Sequence, residues 1–252
     1  MCRHEDVRRR ALDEAWLDSP SAAANRPCCC AVTGGSNRSV SEIKLYGPAN
    51  APYTEKVRRA LIVKGLEFEY FEPESPEDYK RWSPKTGLLP VLEIGDEHIP
   101  DSTEILYRLE ELYPEPPLLS ADPRIAGQQR QLEDWADSHL SWSFNRWRAT
   151  RDTIPEKPSG FRLFLDWLKS GGTWERPEIS IVRSLAGRMD DLVGFLGNRP
   201  FFYSDTLSMA DLSVYSMLIT MRHDYIPGSV KLLEERPKLL ELMQRIESLT
   251  DG

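Results

Sequence analysis

Side chains able to do chemistry are spread unevenly along this chain of 252 residues. All four cysteines, Cys2, Cys28, Cys29 and Cys30, fall near its start. From residue 31 onward there is therefore no disulfide framework and no cysteine nucleophile. His4, His98, His139 and His223 are scattered, and the Cys28 to Cys30 run lacks the spacing of a zinc knuckle, so no metal site is expected. What remains are hydrogen-bond donors and helix starts. Tyr46, Asn50 and Tyr53 surround Ala51-Pro52, and all three carry donors. Asp101 and Ser102 stand just before an apolar helical stripe, and both are preferred N-cap types. Ser208 and Asp211 have the spacing of a capping box, flanked by Leu207 and Leu212 as a hydrophobic staple, so Asp211 is expected to serve folding and not catalysis.

These groups need elements to position them. Ile43 to Tyr46 alternates as a short strand, Gly47 and Pro48 mark a loop, and Pro52 opens a helix whose apolar positions are Val57, Ala60 and Leu61, with Lys64 joining by its stem. Gly65 stops that helix. Glu67 to Glu72 alternates strictly, which predicts a second, parallel strand with one buried face. A short polar helix follows around Asp78 to Trp82. Leu89 to Ile94 and Glu97 to Ile99 flank Gly95-Asp96 as a hairpin. Pro90 starts its strand after a loop, where a cis bond is the reading that lets the preceding backbone turn outward. Ile105, Leu106, Leu109 and Leu112 then form a helical stripe. The order βαβαββα makes a complete small domain over residues 42–113.

Residues 114–123 are proline-rich and read as a linker. Beyond them no strand is expected. Asp122-Pro123 starts a long helix running through Leu132, Trp135, Leu140 and Phe144 to about Arg151. Further helices are predicted over 161–169, 177–196, 208–221 and 230–247. The fold class is α+β followed by an all-α domain over residues 124–252. Residues 1–41 lack the apolar content to bury a core and are expected to be a disordered extension.

Composition narrows the partners. The net charge is −8, which gives no general attraction to phosphate backbones, so nucleic acid is not expected. No window approaches the ~18 consecutive apolar residues of a membrane helix, and the start lacks the apolar stretch of about 7–15 residues that a secretory signal needs. Adjacent free thiols suit a reducing compartment, so a cytoplasmic protein is expected.

At Leu89-Pro90-Val91 and Asp101-Ser102 the chain resembles the cytosolic glutathione transferases. The likeness spans about residues 42 to 246. It also rests on Ala51-Pro52-Tyr53 with Lys56 to Leu61, on Ser83 to Leu92, and on Ser208-Met209-Ala210-Asp211. The resemblance implies a thioredoxin-like glutathione-binding domain followed by a helical bundle. It implies that Leu89, before a cis Pro90, pairs with the cysteinyl part of glutathione as an added strand, and that Asp101 and Ser102 hold the γ-glutamyl group. Pro52 and Tyr53 then border the thiol.

The family places Ser or Cys just before that proline, or Tyr at the end of the first strand, to activate the thiol. Here the first position is Ala51, so the activator is expected to be Tyr46 or Asn50, aided by backbone N–H groups. Leu88 replaces a lysine that contacts the glycyl carboxylate in many relatives, and Lys85 lies in the same loop. Trp142 and Arg146 fall where the family builds its electrophile pocket and suit a flat or anionic co-substrate. The implied activity is addition of glutathione thiolate to a small electrophile, by a homodimer, with glutathione as co-substrate and no cofactor. The alternative is a non-catalytic binding or scaffold protein.

Overall fold

A computed structural model of the chain describes residues 42–152 and 177–251. The expectations for residues 1–41 and for a helix over 161–169 lie outside the described residues.

The first domain has the order read from the sequence. Strand β1 (Ile43–Tyr46) leads through a loop to helix α1 (Pro52–Val63), and then come β2 (Glu69–Phe71), α2 (Pro76–Trp82), β3 (Val91–Ile94), β4 (Glu97–Pro100) and α3 (Ser102–Leu112). The sheet order is β2-β1-β3-β4, with β2 parallel to β1 and the other pairs antiparallel. Alternation sends Ile43 and Leu45 into a core with Val57, Ala60 and Leu61 of α1 and Ile105, Leu106 and Leu109 of α3. The opposite face carries Tyr46 and Val91 against Tyr79 and Trp82 of α2. Gly65, at φ 64°, ends the turn after α1 in the left-handed conformation that only glycine adopts without strain.

In the second domain, α4 (Pro123–Trp135) is N-capped by Asp122, whose carboxylate accepts from Arg124 N at 2.9 Å. It continues through a π-helical segment, Ala136–Leu140, into α5 (Ser141–Asp152). The π segment within the expected long helix has no signature in the sequence pattern. Next are α6 (Pro177–Leu196), α7 (Met209–Ile219), a 3-10 turn at Thr220–His223, α8 (Ser229–Glu234) and α9 (Pro237–Thr250). The single helix expected over 230–247 is thus two. Pro237 follows Arg236, which sits at φ −124° and ψ 71°, away from the helical region as a residue before proline prefers.

The stretch between the domains is anchored. Leu118 is fully buried, its N–H donates to the Glu110 carboxylate, and its carbonyl accepts from Met209 N at 2.8 Å. Lys64 Nζ donates to Glu110 Oε2 at 2.5 Å and to the carbonyls of Tyr113 and Pro116.

Most of helix α1 is buried, and two of its basic residues, Lys56 and Arg59, reach the second domain. Lys56 is fully buried, and its ammonium donates to Glu133 Oε1 at 2.7 Å and to Asp137 Oδ2 at 2.8 Å. Burial alone would depress this ammonium, but the carboxylates of Asp137 and Glu133 hold its pKa above the usual value. Glu133 Oε1 also accepts from Thr103 Oγ1 at 2.7 Å, so one carboxylate gathers α1, α3 and α4. Arg59 makes the second link. It pairs with Glu55 at 2.7 Å, reaches Tyr215 OH at 3.0 Å and also donates to Thr250. The apolar stripe alone did not foresee either cation as buried.

Two outcomes follow. Asp211 is fully buried and accepts from Ser208 N, Ser208 Oγ and Phe202 N at 2.8, 2.6 and 2.8 Å. Asp211→Ala should therefore lower unfolding stability by about 1–3 kcal/mol, read as a shift in urea midpoint at constant slope. Lys56→Met leaves Glu133 buried without its cation and should cost about 3–5 kcal/mol. The double variant Lys56→Met, Glu133→Leu should recover at least half of that loss. If the double variant is no more stable than the single one, the uncompensated carboxylate is not the cause.

Candidate functional site

The strand register builds the site. Phe71, Tyr46, Val91 and Pro100 form one row across the four strands. One step past that row lie Gly47, the Leu89-Pro90 peptide and Asp101, so the starts of α1 and α3 open at the same end of the sheet. The loop after β1 is tied down at several points. Gly47 N donates to Phe71 O at 3.0 Å, Tyr70 OH donates to Gly47 O at 2.7 Å, and Ala49 N donates to Glu72 Oε1 at 2.7 Å.

Helix α1 begins without a cap. Ala51 occupies the N-cap position at φ −81° and ψ 129°, with no side-chain hydrogen bond, and Pro52 follows it. Alanine has no side-chain acceptor to cap the helix, whose start carries the positive end of its dipole. Thr54 lies in the same turn. It packs so closely on Gly47 that a Cβ at residue 47 would stand 2.4 Å from Thr54 Oγ1.

The Leu89-Pro90 peptide is cis, and both residues are buried. Asp101 sits at φ 91° and ψ 118°, a left-handed backbone that non-glycine residues rarely hold. Its carboxylate caps α3, accepting from Thr103 N at 2.8 Å and Glu104 N at 3.3 Å. Ser102 is fully buried, and its Oγ has no hydrogen-bond partner.

Other expected site residues are placed differently. Tyr46 is committed elsewhere. Its hydroxyl donates to Glu93 Oε2 at 2.7 Å, and its ring stacks 5.0 Å from Phe71 and 5.0 Å from Trp82 on the α2 face of the sheet. Burial, reinforced by Glu93, pushes that hydroxyl up to about 12. The Tyr46 side chain thus lies on the sheet face away from α1, and its proton has a carboxylate acceptor. Asn50 is half-buried directly before Ala51. Tyr53 is buried at the domain boundary, with its hydroxyl 3.4 Å from the Asp137 carbonyl. Leu88 is buried, and Lys85 is exposed.

Trp142 and Arg146 also differ from expectation. Both lie in α5, beyond the π-helical segment that holds Asp137, the residue that meets α1. Trp142 packs under the guanidinium of Arg188 at 4.4 Å, with Arg146 at 5.4 Å. Arg188 is anchored to Ser143 Oγ at 2.7 Å. These aromatics therefore face α6. The side of the helix continuous with Asp137 carries Ser141 and Asn145.

The comparisons with known proteins agree with the fold described above. The sequence profile of the glutathione S-transferase N-terminal domain matches residues 45–117, and that of the C-terminal domain matches residues 182–251. The chain belongs to the glutathione S-transferase family. Glutathione S-transferase Z2 of Arabidopsis thaliana is 39% identical over 88 residues, which is 32% of this chain and 39% of that protein. The chain thus spans about two fifths of the length of the plant relatives it matches in this way. The isoprene-epoxide glutathione S-transferase of Rhodococcus sp. AD45 is 24% identical over 240 residues, covering 83% of this chain and 99% of the relative. Among solved structures, a Methylobacterium radiotolerans glutathione S-transferase in complex with glutathione sulfonate is 26% identical. It superposes with a TM-score of 0.64 over 82% of this chain and 90% of that one.

The close approach at Gly47 has a direct test. Gly47→Ala should destabilise the chain by about 1–3 kcal/mol through collision with Thr54. The double variant Gly47→Ala, Thr54→Ala should regain most of that loss in thermal unfolding.

Proposed function

We propose that this chain is a glutathione transferase that adds the glutathione thiolate to a small electrophile. The observation that carries the reading is Ser102. Its hydroxyl is buried without a partner at the first residue of α3, between a left-handed Asp101 and the cis Leu89-Pro90 peptide. A buried donor without an acceptor is costly, and native chains keep few of them. The γ-glutamyl carboxylate supplies an acceptor, with the dipole of α3 adding to its attraction. Asp101 holds the turn and faces the γ-glutamyl amino group. The backbone of Leu89 takes the cysteinyl unit as an added strand, and Pro52 and Tyr53 border the thiol.

That thiol sits at the uncapped start of α1. A free thiol has a pKa of about 8.5, and a helix N-terminus with donors lowers it, so thiolate is present at neutral pH. Asn50 is the available side-chain donor among those expected from the sequence. The electrophile meets the sulfur between α1 and the Ser141 side of the long helix, and Trp142 and Arg146 shape the helix pair behind it. We read the protein as a cytoplasmic homodimer using glutathione as co-substrate, without a cofactor, nucleic acid or membrane partner. No helix among the described residues is long and apolar enough to cross a membrane. A second reading, a binding or scaffold protein that does no chemistry, draws on Ala51 and Leu88, which withhold two contacts common in relatives.

Calorimetry and turnover separate the two readings. Wild-type protein should bind glutathione at micromolar to millimolar concentration and conjugate a generic aromatic halide. Ser102→Ala should weaken glutathione binding by about 1–3 kcal/mol, the scale of a hydrogen bond to a charged group. Binding without turnover selects the scaffold reading. Absence of binding at millimolar glutathione removes the enzyme reading and leaves the scaffold one.

A further inference from the structure

Among the described residues, three aliphatic hydroxyls are buried without a hydrogen-bond partner: Thr54 Oγ1, Ser102 Oγ and Ser213 Oγ. Ser213 lies inside α7. The other two stand in the first turns of α1 and α3, the two helices that open at the same end of the sheet on either side of Pro90. Ser102 has a ligand role in the reading above. Thr54 has none assigned.

Thr54 is only 1% exposed, and its Oγ1 rests against Gly47. A threonine within a helix ordinarily bonds back to the carbonyl three or four residues earlier. Thr54 is the third residue of α1. The residues three and four before it, Ala51 and Asn50, stand at the N-cap and ahead of the helix, and the hydroxyl bonds to neither. The Thr54 hydroxyl is left between Gly47 and the first turn of α1 with no acceptor. The alternative hydroxyls nearby are engaged, Tyr46 with Glu93 and Tyr53 at the Asp137 carbonyl.

We propose that Thr54 Oγ–H donates the hydrogen bond to the glutathione sulfur that Ala51 lacks the atom to make. This rests on the glutathione reading. Alanine has no γ atom, so the sulfur settles one step deeper into the first turn, against the hydroxyl and the first-turn N–H groups. Thr54 acts as a donor only. It keeps its own proton, the thiol proton leaves to solvent, and the hydroxyl stabilises the remaining thiolate before it attacks the electrophile.

The test is an ultraviolet titration of the thiolate of glutathione bound to the full chain, paired with calorimetry of S-methylglutathione, which has no ionisable sulfur. The wild type should hold the bound thiol below its free pKa. Thr54→Val keeps the shape and removes the donor, and it should lower the thiolate-to-thiol ratio about tenfold, a rise of about one unit in the pKa of the bound thiol. Thr54→Ser should restore the wild-type titration. Affinity for S-methylglutathione should stay within about twofold in all three proteins. If valine prevents folding, Thr54→Ala carries the same expectation.

The inference is overturned if the valine variant titrates like the wild type, if the wild type shows no depressed thiol, or if Asn50→Ala alone abolishes the depression. A wild type that binds neither glutathione nor S-methylglutathione fails at the earlier step. That result is distinct, because it removes the glutathione site itself.

Discussion

The fold is organised around a charge that should not be comfortable where it is. The Lys56 ammonium has no exposed surface, and water cannot solvate it. Two carboxylates from the second domain replace that water, Glu133 at 2.7 Å and Asp137 at 2.8 Å. Such a triad adds little net stability compared with apolar packing, but each member becomes indispensable once the others are buried. Its main effect is specification. Only one docking of the helical domain brings both carboxylates to Lys56, and Glu133 passes the same constraint to α3 through Thr103. The start of α1 and the start of α3 are thereby held relative to each other by a residue of neither helix. A ligand stretched between those two starts meets a distance set by the domain interface.

Much of the first domain was legible from pattern. Strict alternation at Glu67 to Glu72, the Gly95-Asp96 turn and the stripe from Ile105 to Leu109 each have a local cause, so local reading succeeds. The observed elements follow that order, down to the cis bond at Pro90. The second domain was less legible where its geometry depends on packing. A π segment at Ala136–Leu140 leaves no mark in the hydrophobic period, because it alters the turn without altering residue types. The break between α8 and α9 was legible in principle. Pro237 was there to be read, and its restriction on Arg236 outweighed the helical pattern on either side.

The site divides in the same way. Asp101, Ser102 and Pro90 announce themselves through local backbone chemistry, and the structure brings them to one end of the sheet. Tyr46 misled because residue type shows that a donor exists but not whether an acceptor has claimed it. Only the cross-strand neighbourhood of Lys44 and Glu93 reveals the Glu93 carboxylate beside that hydroxyl. Trp142 and Arg146 misled because composition marks a helix as aromatic and basic without giving its rotation. Asp137, fixed by Lys56, sets that rotation. Lys56 and Arg59 were missed because basic residues on a helix read as a solvated face. The one available signal was that α1 had too few apolar positions to fill a domain boundary alone.

Three helix starts in this chain show how folding and ligand roles part. At α7 the protein answers its own donors. Ser208 and Asp211 bond to each other, and Asp211 also takes Phe202 N, so nothing is left for a ligand. At α3 the answer is partial. Asp101 caps Thr103 and Glu104, at the cost of a left-handed backbone, while the Ser102 hydroxyl beside it stays unanswered. At α1 the N-cap is alanine, which offers no side-chain acceptor, and the Thr54 hydroxyl in the same turn stays unanswered. The series runs from closed to open toward the place where the anionic ends of an extended tripeptide would lie. Local strain and unsatisfied donors of this kind survive in a folded chain when the surrounding packing over-determines them. Here that packing is the enclosure of α1, held on its far side by Lys56 and Arg59. The buried cations and the open helix start are therefore two ends of one arrangement: the interface fixes α1 in place, and its first turn remains uncapped.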